Sequence, residues 1–176
     1  MQIHQLQVVF DPAEDRLLLR VSTTDGQEIR AHMTRRYVRL LWPELLRIAD
    51  AGVALRAPAA RREVLAFERE KALAQTDFSR PFEHPSGAPR SYPLGEAPFL
   101  ATRARVNAAG PGAYRVSIDP LAGRGIEIAL DDRLLHSLLR LIESAVRAAE
   151  WNLNLEPIAP PPGPGPDAGQ PTRLLN

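Results

Sequence analysis

Side chains along residues 3–33 alternate in three short runs. Leu6, Val8 and Phe10 face one way and Gln5, Gln7 and Val9 the other. Leu17, Leu19 and Val21 oppose Leu18, Arg20 and Ser22, and Ile29, Ala31 and Met33 oppose Glu28, Arg30 and His32. A period of two predicts strands with one buried face. Between the first two runs lies DPAED, whose proline and carboxylates suit a turn. Between the second and third lies Asp25-Gly26, where glycine supplies the positive φ of a tight hairpin. At Thr34, a helix-capping residue, the period changes. Val38, Leu41, Leu45 and Ile48 recur at helical spacing. Pro43 sits inside that pattern and predicts a kink or restart near Trp42, and Gly52 is placed just past the end of the helix.

The same pattern returns after residue 98. Leu100, Thr102, Ala104 and Val106 oppose Arg103 and Arg105, and NAAGPG at 107–112 reads as a turn. Tyr114, Val116 and Ile118 then alternate with Arg115 and Ser117, and Ile126, Ile128 and Leu130 with Glu127 and Ala129. Asp131 caps a final helix whose buried side is Leu134, Leu135, Leu138, Leu141, Ile142 and Ala145, ending near Trp151. With Gly26 set on Gly123 the halves align at a constant offset of 97 residues, so Met33 meets Leu130 and Leu45 meets Ile142. The expected fold class is α+β, an internal duplication of a βββα unit. A unit of about 50 residues buries too little to stand alone. The copies should share a core, as two three-stranded sheets or one six-stranded sheet with each helix on one face. Both helices are apolar over more than one stripe, which predicts burial from two sides.

Residues 59–78 predict an additional helix anchored by Val64, Phe67 and Leu73, with no counterpart in the second half. Pro81, Pro85, Pro89, Pro93 and Pro98 then predict an extended strap with Phe78, Phe82 and Tyr92 as apolar handles. PIAPPPGPGPDAGQ, beyond Glu156, predicts a disordered or extended tail. The chain therefore divides into a first βββα unit at 1–57, a connecting helix and strap at 58–98, a second unit at 99–156 and a tail at 157–176.

Composition changes this picture in few places. A net charge of +1 supplies no global attraction to nucleic acid or membrane, so any basic surface must be locally sorted. The basic residues are arginines except for Lys71, and arginine suits planar phosphate and carboxylate recognition. Without cysteine there is no disulfide or thiolate metal site. The opening MQIHQLQVVF lacks the basic and long apolar stretches of a signal peptide, and no run approaches the ~20 apolar residues of a membrane helix. The expected location is cytoplasmic, with no membrane partner.

If the helices cover one face of the sheets, the opposite face carries Arg20, Arg30, His32, Arg103, Arg105 and Arg115, with Gln5 and Gln7 beside them. Only Glu28 and Glu127 oppose them there. Such a face can meet a phosphate backbone, although charged positions on an outward sheet face are also ordinary. On the first helix Arg36, Arg39 and Arg47 lie away from Leu41 and Leu45, which reads as a solvated face. Arg35 and Arg36 oppose the helix dipole, and Glu68 or Glu70 would be a suitable partner. His4, His32, His84 and His136 are scattered without metal-ligand spacing, and His136-Ser137 are helix neighbours whose side chains diverge. No constellation meets the criteria for a catalytic site, and no metal or cofactor is implied.

Two consecutive meander-plus-helix units, over roughly residues 2–51 and 99–151, resemble in outline the Whirly and PUR-repeat proteins. That resemblance implies binding of single-stranded nucleic acid on the sheets. Two differences stand beside it: three strands per unit where those folds have four, and no aromatic side chain on the outer face for base stacking. The segments RLLLRVSTTDGQEIRAHMTRR, EVLAFEREKALAQTDFSRPF and AAEWNL are similar to an uncharacterised bacterial family that brings no activity with it. The leading expectation is a non-enzymatic protein binding single-stranded DNA or RNA. The alternative is a protein–protein scaffold that forms a homo-oligomer through its helices, with Trp42 and Leu139 at the interface.

Overall fold

The computed structural model describes residues 2–56, 67, 82 and 90–155. Three antiparallel strands open the chain: β1 (Ile3–Asp11), β2 (Arg16–Thr23) and β3 (Glu28–Met33). Pairing sets Val8 opposite Leu19 and Leu19 opposite Ala31, so the apolar positions of all three strands fall on one face. The Asp25-Gly26 turn joins β2 to β3 with Gly26 at φ +81°, the conformation that calls for glycine. Thr34 caps α1 (Arg35–Arg56), accepting at its Oγ1 from the Tyr37 N–H at 3.1 Å. α1 runs unbroken through Pro43 and Gly52, so the expected restart at Trp42 and the stop before Gly52 do not occur. Pro43 removes one backbone bond, and apolar anchoring on both sides of it by Leu41, Trp42, Leu45 and Ile48 carries the helix across.

The later strands are β4 (Phe99–Leu100), β5 (Arg103–Gly110), β6 (Ala113–Asp119) and β7 (Ile126–Asp131), followed by α2 (Asp132–Ala148). The sequence reading treats residues 99–106 as one strand. Instead the chain changes sheets there. β4 pairs in parallel with β3, completing a four-stranded sheet in the order β1-β2-β3-β4. The Ala101 N–H still donates to His32 O, whereas the Thr102 N–H donates to Asp119 O, and β5-β6-β7 form the second sheet. The alternation slips at this crossover. Ala101 is buried and Leu100 exposed, yet from Arg103 onward the odd positions face outward. The expected turn at 107–112 is also shorter, since β5 pairs with β6 as far as Gly110 opposite Ala113. Gly112, at φ +69°, takes the left-handed conformation that favours glycine, and a Cβ there would have to displace the Asp132 carboxylate, whose Oδ2 would lie 2.7 Å away.

The α+β class of the chain is plain in this arrangement, and both sheets turn their apolar faces to one common core. Each helix packs across to the other half. α2 lies chiefly on β1 while also touching β2, β6, β7 and α1, and α1 lies along β5. Residues Leu135, His136, Ser137, Leu138 and Leu139 are all buried, more than a full helical turn, as two-sided burial requires. Trp42 and Leu139, the candidate interface side chains, are buried within this core, whereas Leu40 of α1 stays exposed. Asp131 caps α2 by accepting from the Leu134 N–H at 2.7 Å, and no helix among the described residues is long and apolar enough to cross a membrane. The expected helix at 59–78, apart from helical Phe67, and the tail at 157–176 lie outside the described residues.

Leu135 has no solvent exposure, and Leu40 is among the exposed apolar side chains. Leu135→Ala should cost about 2–5 kcal/mol in urea unfolding, and Leu40→Ala less than about 0.5 kcal/mol. Equal losses would contradict the assignment of α2 as the shared layer.

Candidate functional site

The six side chains singled out from the sequence divide into two groups. Arg20, Arg30 and His32 lie on the polar face of the first sheet, where Arg20 stands directly opposite Arg30. Two guanidiniums at that separation repel. Glu28, fully buried, answers both: its Oε1 accepts from Arg20 Nε at 2.9 Å and from Arg30 Nε at 2.7 Å. Gln7, on the next strand, accepts from Arg20 Nη1 at 3.3 Å. His32 is nearly buried, with Nε2 3.4 Å from Asp11 Oδ2.

This face is covered, contrary to the expectation of an open one. The described part of the strap runs beside β3, where the Glu28 N–H donates to Ser91 O at 2.8 Å and the Ser91 N–H to Gly26 O at 3.2 Å. Phe82 stacks on the Arg20 guanidinium at 3.8 Å and Tyr92 on that of Arg30 at 4.9 Å. Arg30 also donates to Glu96 O and to the Tyr92 hydroxyl. The outer face of the first sheet thus does carry aromatic rings, delivered from a segment distant in sequence and stacked on its arginines. Arg20, Arg30 and His32 are therefore engaged within the chain.

Arg103, Arg105 and Arg115 share the outer face of the second sheet and are exposed. Arg103 donates to the carbonyls of Pro120 and Leu121. Arg105, 73% exposed, lies 3.3 Å from Asp119, and Arg115, 61% exposed, 3.7 Å from Glu127. Ion pairs this open are worth at most about 1 kcal/mol, so both arginines can exchange a carboxylate for another anion.

A second basic cluster lies at the start of α1. Arg35, Arg36, Arg39, Trp42 and Pro43 form one wall of a surface cavity of about 660 Å³, and residues 152–155 form the other. The second wall is set by Trp151, which packs edge-on to Phe10 at 6.3 Å and donates from its indole N–H to Asp15 Oδ1 at 3.0 Å. Arg35 Nη2 donates to Asn152 O at 3.4 Å, tying the walls together. Among the described residues no carboxylate lines the cavity. Arg36 and Arg39 make no side-chain hydrogen bond or ion pair among the described residues, and Glu68 and Glu70, the partners expected for Arg35 and Arg36, lie outside them. Trp42 is 4% exposed and its indole N–H has no hydrogen-bond partner, a donor whose desolvation costs about 1–3 kcal/mol. In the sequence these arginines read as a solvated helix face. The missing signal was the return of residues 152–155 across the start of α1, which only the fold could place beside them.

Alongside, the Tyr37 hydroxyl donates to Arg103 O at 3.2 Å, fixing the start of α1 against the start of β5. Burial, with the Asp119 carboxylate nearby, pushes the Tyr37 phenol well above its usual range, so it stays a neutral donor.

Comparison with protein-family models, curated proteins and solved structures finds no match for this chain. The outline likeness to Whirly and PUR-repeat proteins gains no support from it, and function has to be argued from these surfaces.

Burial alone would raise the Glu28 carboxyl, but hydrogen bonds and charge from Arg30 and Arg20 outweigh it and hold the group below the usual glutamate value of 4.5. A depressed folded value means that ionised Glu28 contributes stability above the ordinary glutamate range. That contribution is lost as pH falls through 4.5 towards the lower folded value. Glu28→Ala should destabilise by about 3 kcal/mol at pH 7, the lower end for a broken buried pair because both guanidiniums keep some contact with water. The gap to wild type, followed by urea unfolding, should close as pH drops below 4.5. A gap independent of pH would show that Glu28 acts through packing alone.

Proposed function

We propose that the chain is a non-enzymatic binding protein for single-stranded DNA or RNA, acting through the outer face of its second sheet. One observation carries this reading: Arg103, Arg105 and Arg115 lie together on one exposed sheet face. Strand geometry sets Arg103 and Arg105 about 7 Å apart, and register places Asn107 beside Arg115. Guanidiniums in this setting can form forked hydrogen bonds to successive phosphates. The near-neutral chain then attracts a polyanion only locally, which favours modest, strongly salt-dependent affinity. The proposal also keeps the two βββα units as copies of one ancestral unit, supported by the constant offset of 97 residues between them. In it the copies have diverged in role, the first sheet carrying the strap and the second the ligand.

Fluorescence anisotropy with labelled single-stranded DNA, single-stranded RNA and duplex DNA at two salt concentrations tests this. Single strands should bind saturably and best. Arg105→Glu combined with Arg115→Glu should lower affinity at least about tenfold and reduce the salt slope by roughly two, whereas Arg36→Ala should leave internal strand binding unchanged. Flat curves at micromolar protein in low salt would overturn the reading.

A further inference from the structure

We propose that Leu121 is the side chain through which the second sheet meets a nucleobase, and that this contact makes the face prefer single strands. The inference deepens the reading of that face as a nucleic-acid surface and rests on it. Phosphate contacts position a ligand without reading its bases, and single strands and duplex both carry phosphates. Preference for single strands needs a group that touches an unstacked base. The outward positions of β5, β6 and β7 hold no aromatic ring. A base therefore has to be met from beside the strands.

The turn between β6 and β7 supplies the group. Leu121 lies on it and is 80% exposed. Two arginines of the binding face hold this turn in place. Arg103 Nη2 donates to Pro120 O at 3.1 Å and to Leu121 O at 3.2 Å, and Arg105 Nη2 donates to Asp119 Oδ2 at 3.3 Å. Covalent geometry then keeps the Leu121 Cα within about 6 Å of the Arg103 guanidinium. The far side of the turn is packed just as closely, since a Cβ on Gly125 would run into the Ile118 carbonyl. A lone leucine on a surface is ordinary. This one differs because the side chains that fix its position belong to the face assigned to phosphates. Held in this way, it loses little freedom on meeting a ligand. A strand with phosphates on Arg105 and Arg115 that continues past Arg103 brings its next base against Leu121. Leucine serves elsewhere as an apolar wedge between bases, and in a duplex the base would first have to leave its stack.

Fluorescence anisotropy of the full chain with labelled oligo(dT), an abasic oligonucleotide of the same length and a duplex reads this contact. Because Leu121 is so exposed, Leu121→Ala should unfold in urea as the wild type does. It should weaken oligo(dT) about three- to tenfold and leave the abasic strand and the duplex unchanged. The salt slope should stay the same, since an apolar contact releases no counterions. Leu121→Trp, which offers a ring for stacking, should tighten oligo(dT). Equal affinity of wild type and Leu121→Ala for oligo(dT) would overturn the proposal and leave the arginine face standing. An equal loss on the abasic strand would overturn it too, marking Leu121 as a support for the arginines rather than a contact to a base. A wild type that binds none of the strands overturns both this proposal and the reading on which it rests.

Discussion

Two-sided burial of α2 is the constraint on which the rest of the structure depends. Its buried residues, from Leu135 through Val146, cover more circumference than one sheet can contact. The helix consequently sits against β1 and β2 of one sheet and β6 and β7 of the other, with α1 alongside. Neither half, at about 50 residues, could bury enough apolar surface by itself, and exchanging helices solves this for both. The crossover at Ala101 and Thr102 follows from it. A strand that must serve both sheets hydrogen-bonds first to β3 and then to β6, and its alternation slips by one residue as it passes.

The two outer faces meet different fates because of one carboxylate. Glu28 gathers Arg20 and Arg30, and once their charge is met the guanidinium planes become surfaces for the rings of Phe82 and Tyr92. Ser91 then pairs with the Glu28 backbone and closes the site. On the second sheet the matching carboxylates, Asp119 and Glu127, stay near the surface and their arginines remain open to water. Similar residue types thus build a buried structural cluster on one sheet and an accessible basic face on the other.

The cavity at the start of α1 depends on the same core. Trp151 is held against Phe10 and Asp15, which returns the chain across the first turns of α1 and converts a row of helix arginines into a concave wall. Tyr37 ties that region to the start of β5, so the basic start of α1 and the arginine-bearing edge of the second sheet are fixed relative to each other.

Local pattern in the sequence determined the strands, their inward and outward faces within each three-stranded run, the caps at Thr34 and Asp131, and the glycine turn at Gly26. These follow from period and from the conformations of single residues, which act over a few positions. It also determined the breadth of the apolar helix surfaces, and hence that each had two things to touch. Which two was settled by tertiary structure alone: α2 on β1, α1 on β5, and Trp42 and Leu139 in the core rather than at a free surface. The fate of each arginine was equally illegible along the chain. Whether a guanidinium meets Glu28 and an aromatic ring, an exposed carboxylate or a surface cavity depends on segments that can lie more than a hundred residues away. Charge is satisfied by neighbours in space, and the sequence names the charges without naming the neighbours.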